Sequence, residues 1–381
     1  MTVMVVNAGS SSVKMAVFAG GSEPVYSAMA SEIGGASALR TPRGTRALRL
    51  ADHAAAVAAM LEAAEGAGVG PSVLSAAAHR VVHGGARLTA PCRVTAEVEA
   101  AIEAAVPLAP LHNPANLTAI RALRALAPDL PQFASFDTAF HATNPEVAVR
   151  YAVPDSVARL GIRRYGFHGI SFTALVRKVK ETSAGKLPEK LLALHLGNGC
   201  SLCAIRNGQS VATTMGYSPL EGLTMGTRTG AIDGNAVLRL AELHGIDGAA
   251  RILNRESGLL GLGGTSDMRA LHAAGTAEAR FAIEHFIYWA VRHAGSMIAA
   301  MGGLDAIAFT GGIGENDVAV RAGILRGLGF AGTEFDVAAN AAGRLCLHKK
   351  DSRVAILIVP AEEERQIALE AEAVMAGEAV R

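Results

Sequence analysis

The chain has 381 residues, half of them hydrophobic, and a formal net charge of +1. This length predicts two or three domains, and the lack of a basic excess argues against nucleic acid or a membrane surface as the partner. No charged leader precedes the first apolar run, which is too short to cross a bilayer, so we expect a cytoplasmic protein.

Apolar runs typical of buried strands alternate with Ala-rich amphipathic helices, which predicts an α/β protein with largely parallel central strands. Asn113 and Pro114 predict a helix N-cap and a first-turn proline, and a long helix over residues 277–300 is expected to end at Gly302 and Gly303. We place a domain boundary near residue 140. The predicted strands cover residues 4–6, 13–18, 73–78, 133–136, 191–196, 306–309 and 354–359.

The first strand leads into a turn, Asn7-Ala8-Gly9-Ser10-Ser11-Ser12, whose pattern recurs half a chain later at Gly197-Asn198-Gly199-Cys200-Ser201. Glycine lets backbone N–H groups approach an anion closely. Either turn alone is also typical of an ordinary Gly-rich hairpin. Their recurrence in matching context predicts a duplicated phosphate-binding hairpin, with two similar halves that close on one nucleotide.

Chargeable residues follow strands or lie in Gly-rich turns, where α/β proteins place their ligands. Arg80 and Arg228 are suited to bidentate capture of a carboxylate or phosphate, although each could also be an ordinary surface arginine. Asp137 ends a strand and needs a cation, a metal or hydrogen-bond donors there, unless it caps a helix. His112, His168 and His195 could each be core histidines, and their spacing argues against zinc.

The cysteines predict neither a disulfide framework nor a metal site. Cys200 and Cys203 form a C-x-x-C pattern, but they lie in a predicted strand, and no second pair completes a zinc site. We therefore interpret Cys200 and Cys203 as small core residues; the other two cysteines are Cys92 and Cys346.

Two segments near the C-terminal end complete the candidate site. Residues 309–316 predict a strand, a Gly-rich turn and a following helix, and the glycines would let an adenosine lie against the backbone; a GGxG turn alone is a weak signal. Residues 360–364 open the last helix, where the glutamates could form a solvated acidic first turn or supply a Mg²⁺ ligand.

Taken together, these motifs resemble the acetate kinase family of the actin-like superfamily. The resemblance runs in order through NAGSSSVK, HRVVHGG, LAPLHNP, FDTAFH, RYGFHG, HLGNG, MGYSPLEGLTMGTRTG and FTGGIGEN to the glutamates near residue 363. It implies two ribonuclease H-like (actin-like) domains around a central cleft: residues 1–138 with 363–381, and residues 139–362. It also implies a homodimer and reversible transfer of the ATP γ-phosphoryl group to acetate.

The resemblance implies a role for each matched residue. Asn7 and Glu363 would place Mg²⁺, with Mn²⁺ as a substitute. Arg80 and Arg228 would hold the carboxylate and the transferring phosphoryl group, His168 would stabilise the transition state, His112 would support that site, and Asp137 would act as an acid/base or orient an arginine. The nucleotide contacts would come from Ser10, Ser12, Lys14, His195, Leu196, Gly197, Asn198, Gly199, Asp267, Met268, Arg269, Gly312, Ile313, Gly314, Glu315 and Asn316. The acyl pocket would consist of Val82, Leu111, Phe167 and Pro219.

The chemistry of the reaction refines one of these roles. A carboxylate acceptor is already ionised at neutral pH, so its attack needs no general base, and the main difficulty is the repulsion between two anions. Cations must therefore dominate the catalysis. We predict that Asp137 mainly orients Arg80 or Arg228 and does not move a proton.

Several positions depart from the usual family pattern. Ile170-Ser171-Phe172 stands where Thr-Ser-His is typical, Ala212 and Ala231 replace common acidic residues, and Gly234 replaces a frequent proline. These departures leave open a changed loop near His168, an altered nucleotide preference or a different dimer contact. Two alternatives remain at this point: a propionate or other short-chain carboxylate kinase, and a nucleotide-gated binding protein of the actin-like kind.

Overall fold

The structure is a computed structural model that describes residues 1–183 and 185–378. It separates into two compact units. Unit 1 comprises Met1–Phe140, Gly169–Ser171 and the described residues from Glu362 onward. Unit 2 comprises His141–His168 and the described residues between Phe172 and Ala361.

The strands form one sheet in each unit. Unit 1 contains β1 (Val3–Ala8), β2 (Val13–Phe18), β3 (Tyr26–Ser31), β4 (Ala38–Thr41), β5 (Gly44–Ala47), β6 (Ala76–Val81), β7 (Cys92–Arg93) and β8 (Gln132–Phe136). Unit 2 contains β9 (Lys190–Leu196), β10 (Cys200–Arg206), β11 (Gln209–Thr213), β12 (Ala306–Thr310) and β13 (Ala355–Ile358).

The helices connect and cover these sheets. They are α1 (His53–Glu65), α2 (Ala96–Ala104), α3 (Asn113–Leu126), α4 (Glu146–Val149), α5 (Asp155–Ala158), α6 (Gly169–Thr182), α7 (Gly234–Arg255), α8 (Gly258–Gly263), α9 (Met268–Ala274), α10 (Ala277–Met301), α11 (Gly311–Asn316), α12 (Val318–Gly327), α13 (Val337–Ala341) and α14 (Glu363–Met375). Short 3₁₀ turns lie at Pro71–Val73, Val106–Leu108, Ala139–Thr143 and Gly329–Ala331. None of the described helices is long and apolar enough to span a bilayer.

The two sheets share one topology. The unit 2 order is β11-β10-β9-β12-β13, and unit 1 contains the equivalent order β3-β2-β1-β6-β8. In both, the first three strands are antiparallel and the last two are parallel to the third. This repeated order confirms the predicted ribonuclease H-like duplication, and the turns that contain Asn7 and Asn198 form equivalent hairpins, β1–β2 and β9–β10.

Helices cover both faces of the unit 1 sheet, which explains why β1 is apolar on both faces. Met4 and Val6 pack in the cluster that includes α1 and α3, whereas Val3 and Val5 pack against Ile367 and its neighbours on α14. Successive side chains of a strand point to opposite faces, so both sets become buried. This packing places the first turn of α14 within unit 1.

Some sequence predictions need correction. The strand predicted over residues 73–78 begins only at Ala76, because Pro71 starts a 3₁₀ turn that includes Val73. Parallel pairing is confined to β1-β6-β8 and β9-β12-β13, since the hairpin-linked strands must be antiparallel. The long helix is confirmed, running from Ala277 to Met301 with Gly302 as its C-cap.

The departures after Phe167 do not form a changed loop. Gly169 begins α6, and Ile170, Ser171 and Phe172 are all at most 2% exposed in its first turn. Ile170 joins the unit 1 core. The three positions are therefore packing positions of a helix.

Candidate active site

Arg80 and Asp137 form an ion pair in unit 1, at the carboxyl ends of the neighbouring parallel strands β6 and β8. Arg80 Nη2 donates to Asp137 Oδ2 at 2.7 Å, and Arg80 Nε lies 3.2 Å from Oδ1 and 3.1 Å from Oδ2. The Asp137 side chain is 2% exposed and that of Arg80 is 22% exposed. The guanidinium is thus fixed by a nearly buried carboxylate and remains reachable, which identifies Asp137 as a partner of an arginine and not as a helix cap.

The charge of Arg80 is stabilised by its surroundings. Burial alone would lower the pKa of Arg80, but the charges of Asp137 and Glu363 and the hydrogen bonds to Asp137 outweigh that cost and raise it. Arg80 Nη1 also lies 3.4 Å from Asn7 Oδ1. Asn7, Arg80, Asp137 and Glu363, which the sequence places far apart, therefore belong to one cluster.

The β1–β2 hairpin brings its polar residues to one end of the sheet. Gly9 N donates to Ser12 O at 2.8 Å, which closes the turn, and Asn7 pairs with Lys14 across the two strands. Ser10 and Lys14 are exposed and Ser12 is half-buried. The hydroxyls and the ammonium group are accordingly available to an anion.

Two buried asparagines of α3 hold this end of unit 1 together. Asn116 Nδ2 donates to Ala8 O at 2.7 Å, and its Oδ1 accepts from Val82 N at 3.1 Å. Asn113 bonds both backbone groups of His83. The predicted N-cap role of Asn113 is therefore wrong: His112 occupies the cap position, and the Asn113 side chain is used for tertiary contacts.

The remaining predicted residues of unit 1 surround this end. Val82 is 7% exposed and follows β6 directly, whereas Leu111 is 42% exposed just before α3. His112 is half-buried at the start of α3. His112 is thus not a core histidine, and the same holds for the half-buried His168 and His195.

The oxygen donors of unit 1 suit a hard cation such as Mg²⁺. Asn7 supplies an amide oxygen and Glu363, in the first turn of α14, supplies a carboxylate. Within residues 1–183 and 185–378, no three His, Cys, Asp or Glu side chains form a metal-binding group. The amide oxygen of Asn7 and the carboxylate of Glu363 fit Mg²⁺, which usually takes one or two protein ligands and completes its shell with phosphate oxygens and water.

His168 occupies a strained position in unit 2. Its φ of +59° is in the left-handed region, which costs a non-glycine residue roughly 1–2 kcal/mol. The ring stacks on His195 with centroids 4.1 Å apart, and Nδ1 lies 2.8 Å from Ser201 Oγ. The surrounding contacts thus fix the ring and direct Nε2 away from Ser201.

Arg228 lies close to the same turn as His168. Its Nη1 donates to Pro219 O at 3.0 Å, and it is half-buried, not a freely exposed surface arginine. A Cβ placed on Gly199 would lie 3.2 Å from His168 Nε2 and 3.6 Å from Arg228 Nη1. The two chargeable side chains therefore converge on the turn of the β9–β10 hairpin.

That hairpin also meets the second Gly-rich segment. β9 and β12 run parallel with His195 opposite Thr310, so residues 195–199 and 311–316 emerge at the same sheet edge. Gly197 and Gly312 approach closely there, since a Cβ on Gly197 would lie 4.0 Å from Gly312 N. The segment predicted to be a turn is instead the short helix α11, with Thr310 as its N-cap.

Asp267 caps α9 and pairs with Arg269. The hydrogen bonds from Arg269 lower the pKa of Asp267 to about 2. His272 of the same helix lies 2.9 Å from Asp317 Oδ2, one residue beyond α11. Asp267, Met268 and Arg269 consequently lie on an element tied to the Gly312–Asn316 segment.

The interpretation of Cys200 and Cys203 as core residues is confirmed, whereas Cys92 is half-buried and Cys346 is exposed. Cys200 and Cys203 are fully buried on β10, and burial raises the pKa of each thiol to about 12. All four cysteines are free thiols.

Sequence reasoning missed three residues that support these segments. Arg321, fully buried, donates to Gly314 O at 3.0 Å and Glu315 O at 2.7 Å. His53 Nε2 lies 2.6 Å from Gly9 O, and Asn116 spans Ala8 and Val82 as described above. A polar residue within an apolar helical face was the available signal for Asn116 and Arg321.

Comparisons with known proteins agree on one family. The family model described as the acetokinase family matches residues 2–369. The acetate kinase of Deinococcus radiodurans is 43% identical over 394 residues, covering 99% of each chain. The acetate kinase of a Synechococcus species is 47% identical over 325 residues, covering 83% of this chain and 79% of the relative.

Solved structures give the same result. The crystal structure of Porphyromonas gingivalis acetate kinase is 34% identical with a TM-score of 0.91, covering 98% of this chain and 99% of the other. A propionate kinase from Francisella tularensis is 33% identical with a TM-score of 0.92, covering 97% and 98%.

Proposed function

Because the chain belongs to the acetokinase family, we propose that it transfers the γ-phosphoryl group of ATP reversibly to acetate, giving acetyl phosphate and ADP. The observation that carries the proposal is the convergence of His168 and Arg228 on Gly199. Phosphoryl transfer requires positive charge and hydrogen-bond donors that are held in place. The His168 imidazole and the Arg228 guanidinium supply them beside the Gly-rich turn.

The transfer is direct and in line. An oxygen of acetate attacks the γ-phosphorus while the bond to the β,γ-bridging oxygen breaks, and ADP leaves with that electron pair. Arg80 and Arg228 offset the negative charges of the carboxylate and the phosphoryl oxygens, and His168 hydrogen-bonds the equatorial oxygens. His112 supports the same site. Asp137 keeps the Arg80 fork in place, because its carboxylate faces the guanidinium along Nε and Nη2.

The nucleotide uses both Gly-rich hairpins. Ser10, Ser12 and Lys14 flank the phosphates, residues His195–Gly199 contact them from unit 2, and Gly312–Asn316 with Asp267–Arg269 hold the nucleoside. Asn7 and Glu363 would hold Mg²⁺, which neutralises phosphate charge when bound. An amide oxygen on Asn7, which lies 3.4 Å from Arg80 Nη1, and a carboxylate on Glu363 are the kinds of ligand that Mg²⁺ takes, which supports this assignment.

The acyl pocket, which selects the acceptor by chain length, consists of Val82, Leu111, Phe167 and Pro219. One or two extra methylenes change binding in an apolar pocket by about 1–3 kcal/mol, so acetate is preferred, propionate reacts more weakly and butyrate is poor. Propionate kinase is the second candidate function, which the similarity to the Francisella tularensis enzyme favours.

The decisive assay is acyl-phosphate formation from ATP, trapped with hydroxylamine, using acetate, propionate and butyrate with and without Mg²⁺. The proposal expects activity in the order acetate, propionate, butyrate, dependent on Mg²⁺ and lost in Arg228→Ala. Propionate as the best acceptor would establish the second candidate. No product from any carboxylate, with intact ATP binding, would refute both kinase functions and favour the nucleotide-gated alternative.

Two further expectations concern assembly and location. We expect a homodimer and a cytoplasmic location. The exposed aromatic side chains Phe281 (54%) and Tyr288 (64%) on α10 support a contact between copies. Analytical ultracentrifugation tests the dimer, and a single species at the monomer mass would remove it.

A further inference from the structure

Arg164, Glu221 and Tyr151 form a charged cluster in unit 2 that the reaction does not use directly. Tyr151 Oη donates to Glu221 Oε2 at 2.6 Å and accepts from Tyr217 N at 3.1 Å. Arg164 Nη1 pairs with Glu221 Oε1, and its guanidinium lies 4.3 Å from the Tyr151 ring centroid. Burial and the carboxylate of Glu221 raise the pKa of Tyr151 to about 12, so its hydroxyl remains a donor.

The cluster joins two segments that are distant in sequence. One is residues 164–168, which ends at His168, and the other is the loop of residues 214–231, which carries Pro219 and Arg228. Tyr165 N and Gly166 N donate to Gly216 O at 2.9 and 3.3 Å. A side chain at Gly216 would overlap the Glu221 carboxylate and the Tyr151 hydroxyl, so the loop closes tightly around the cluster.

The position of Arg228 depends on this loop. Pro219, two residues before Glu221, supplies the carbonyl that accepts from Arg228 Nη1 at 3.0 Å. On the other segment, His141 Nε2 holds Phe167 O at 2.9 Å, directly before His168. A displacement of Glu221 would therefore move the Pro219 carbonyl, and with it Arg228, relative to His168.

Packing contributes little to holding Glu221 in place. Glu221 lines two cavities. One has a volume of about 340 Å³ and lies beside Asn144 and His293, and the other has a volume of about 260 Å³ and lies beside Leu220 and Ile232. Ala212 lines the first cavity and Ala231 the second. Beside Glu221, each cavity is therefore lined by the methyl group of an alanine.

We propose that Glu221 is a positioning residue for phosphoryl transfer, acting through the Pro219 carbonyl on Arg228 and through Arg164 on the segment that ends at His168. The inference rests on the proposed function for its kinetic consequence. Its structural consequence is the ordering of the 214–231 loop, which can be measured without an activity assay.

The test compares Glu221→Gln with Glu242→Gln. The first variant keeps the shape of the side chain and an acceptor for Tyr151 but removes the charge that faces Arg164. The second neutralises an exposed pair of the same unit, whose Glu242 Oε2 lies 3.0 Å from Arg239 Nη1. Arg164→Lys is a second variant of the cluster, which keeps the charge and loses the guanidinium fork.

We expect Glu221→Gln to lower kcat with acetate about tenfold or more, because small misplacements of a catalytic group are costly. The KM for ATP should rise by less than kcat falls. The loop meets the nucleotide segment His195–Gly199 through the hydrogen bond from Gly226 N to Asn198 O at 2.9 Å, whereas the segment Gly312–Asn316 is supported by Arg321. Arg164→Lys should give a smaller loss of the same kind, and Glu242→Gln should match the wild type.

Amide hydrogen exchange tests the positioning role of Glu221 independently of the proposed function. Glu221→Gln should speed amide exchange in residues 164–169 and 214–231 only. If the wild type makes no acyl phosphate, the proposed function fails and exchange alone decides the cluster. Unchanged exchange in the loop, faster exchange throughout unit 2, or a wild-type kcat in an active enzyme would each overturn the positioning role.

Discussion

Arg80 Nη2 lies 2.7 Å from Asp137 Oδ2, and Arg80 Nε lies within hydrogen-bonding distance of both carboxylate oxygens. The pair joins adjacent parallel strands at their carboxyl ends. A carboxylate that is 2% exposed and faces a guanidinium in this way is engaged by a cation, which is the geometry that an orienting group needs.

Asp137→Asn should lower kcat by about 100-fold or more, because the amide cannot offset the charge of Arg80 or hold both edges of its fork. Rapid-quench assays in H₂O and D₂O measure the chemical step, and no solvent isotope effect is expected in the wild type. Glu103→Gln, which neutralises an exposed partner of Arg121, is the control. A clear isotope effect on phosphoryl transfer together with the loss in Asp137→Asn would show that Asp137 moves a proton.

Gly199→Ala should reduce kcat about tenfold, because the new methyl group would lie 3.2 Å from His168 Nε2 and 3.6 Å from Arg228 Nη1. Steady-state kinetics with acetate and ATP check this. Gly295→Ala in α10 is the matched control, since among the described residues no atom beyond its chain neighbours and its own helix backbone would lie within 4 Å of the added carbon. Equal kcat values for the two variants would contradict the assigned roles of His168 and Arg228.

Val82→Ala should shift the acceptor preference toward longer chains, because it removes two methyl groups from a residue that is 7% exposed. The ratio of kcat/KM for butyrate to that for acetate should rise about tenfold or more, consistent with 1–3 kcal/mol for such a change. Val25→Ala, at a position 60% exposed, should leave the ratio unchanged. An unaltered ratio in Val82→Ala would remove Val82 from the acyl pocket.

Asn116→Ala should destabilise unit 1 by about 2–5 kcal/mol, because it leaves the Ala8 carbonyl and the Val82 N–H buried without their partner. Urea denaturation followed by circular dichroism measures the loss against Asn235→Ala, an exposed position on α7. A loss below about 0.5 kcal/mol would mean that the hairpin is held without Asn116.

Stability should fall as the pH drops from about 6.5 toward 4. Burial lowers the pKa of His79, His83 and His141 to about 4, whereas the unfolded chain titrates near 6.5. Between these values the unfolded state binds more protons, so each histidine removes about 2 kcal/mol by pH 5. Urea midpoints at pH 7 and pH 5 test this: His79→Gln should reduce the pH dependence, and the exposed His244→Gln should leave it unchanged. A flat profile in the wild type would exclude the effect.

The sequence by itself determined the duplicated architecture and predicted the candidate site residues, because both predictions rest on local patterns. Apolar runs ending in turns that contain Asn and Gly specified two equivalent hairpins, and motif order predicted Arg80, Asp137, His168 and Arg228 as site residues. Only the tertiary structure decided which of these residues meet. The contacts of Asp137 with Arg80 and of Asn116 with Ala8 and Val82 follow from strand order and parallel register. The contact of Glu221 with Arg164 follows from the way two loops meet. Those contacts join residues tens of positions apart, whereas periodicity and turn signals act only over a few neighbouring residues.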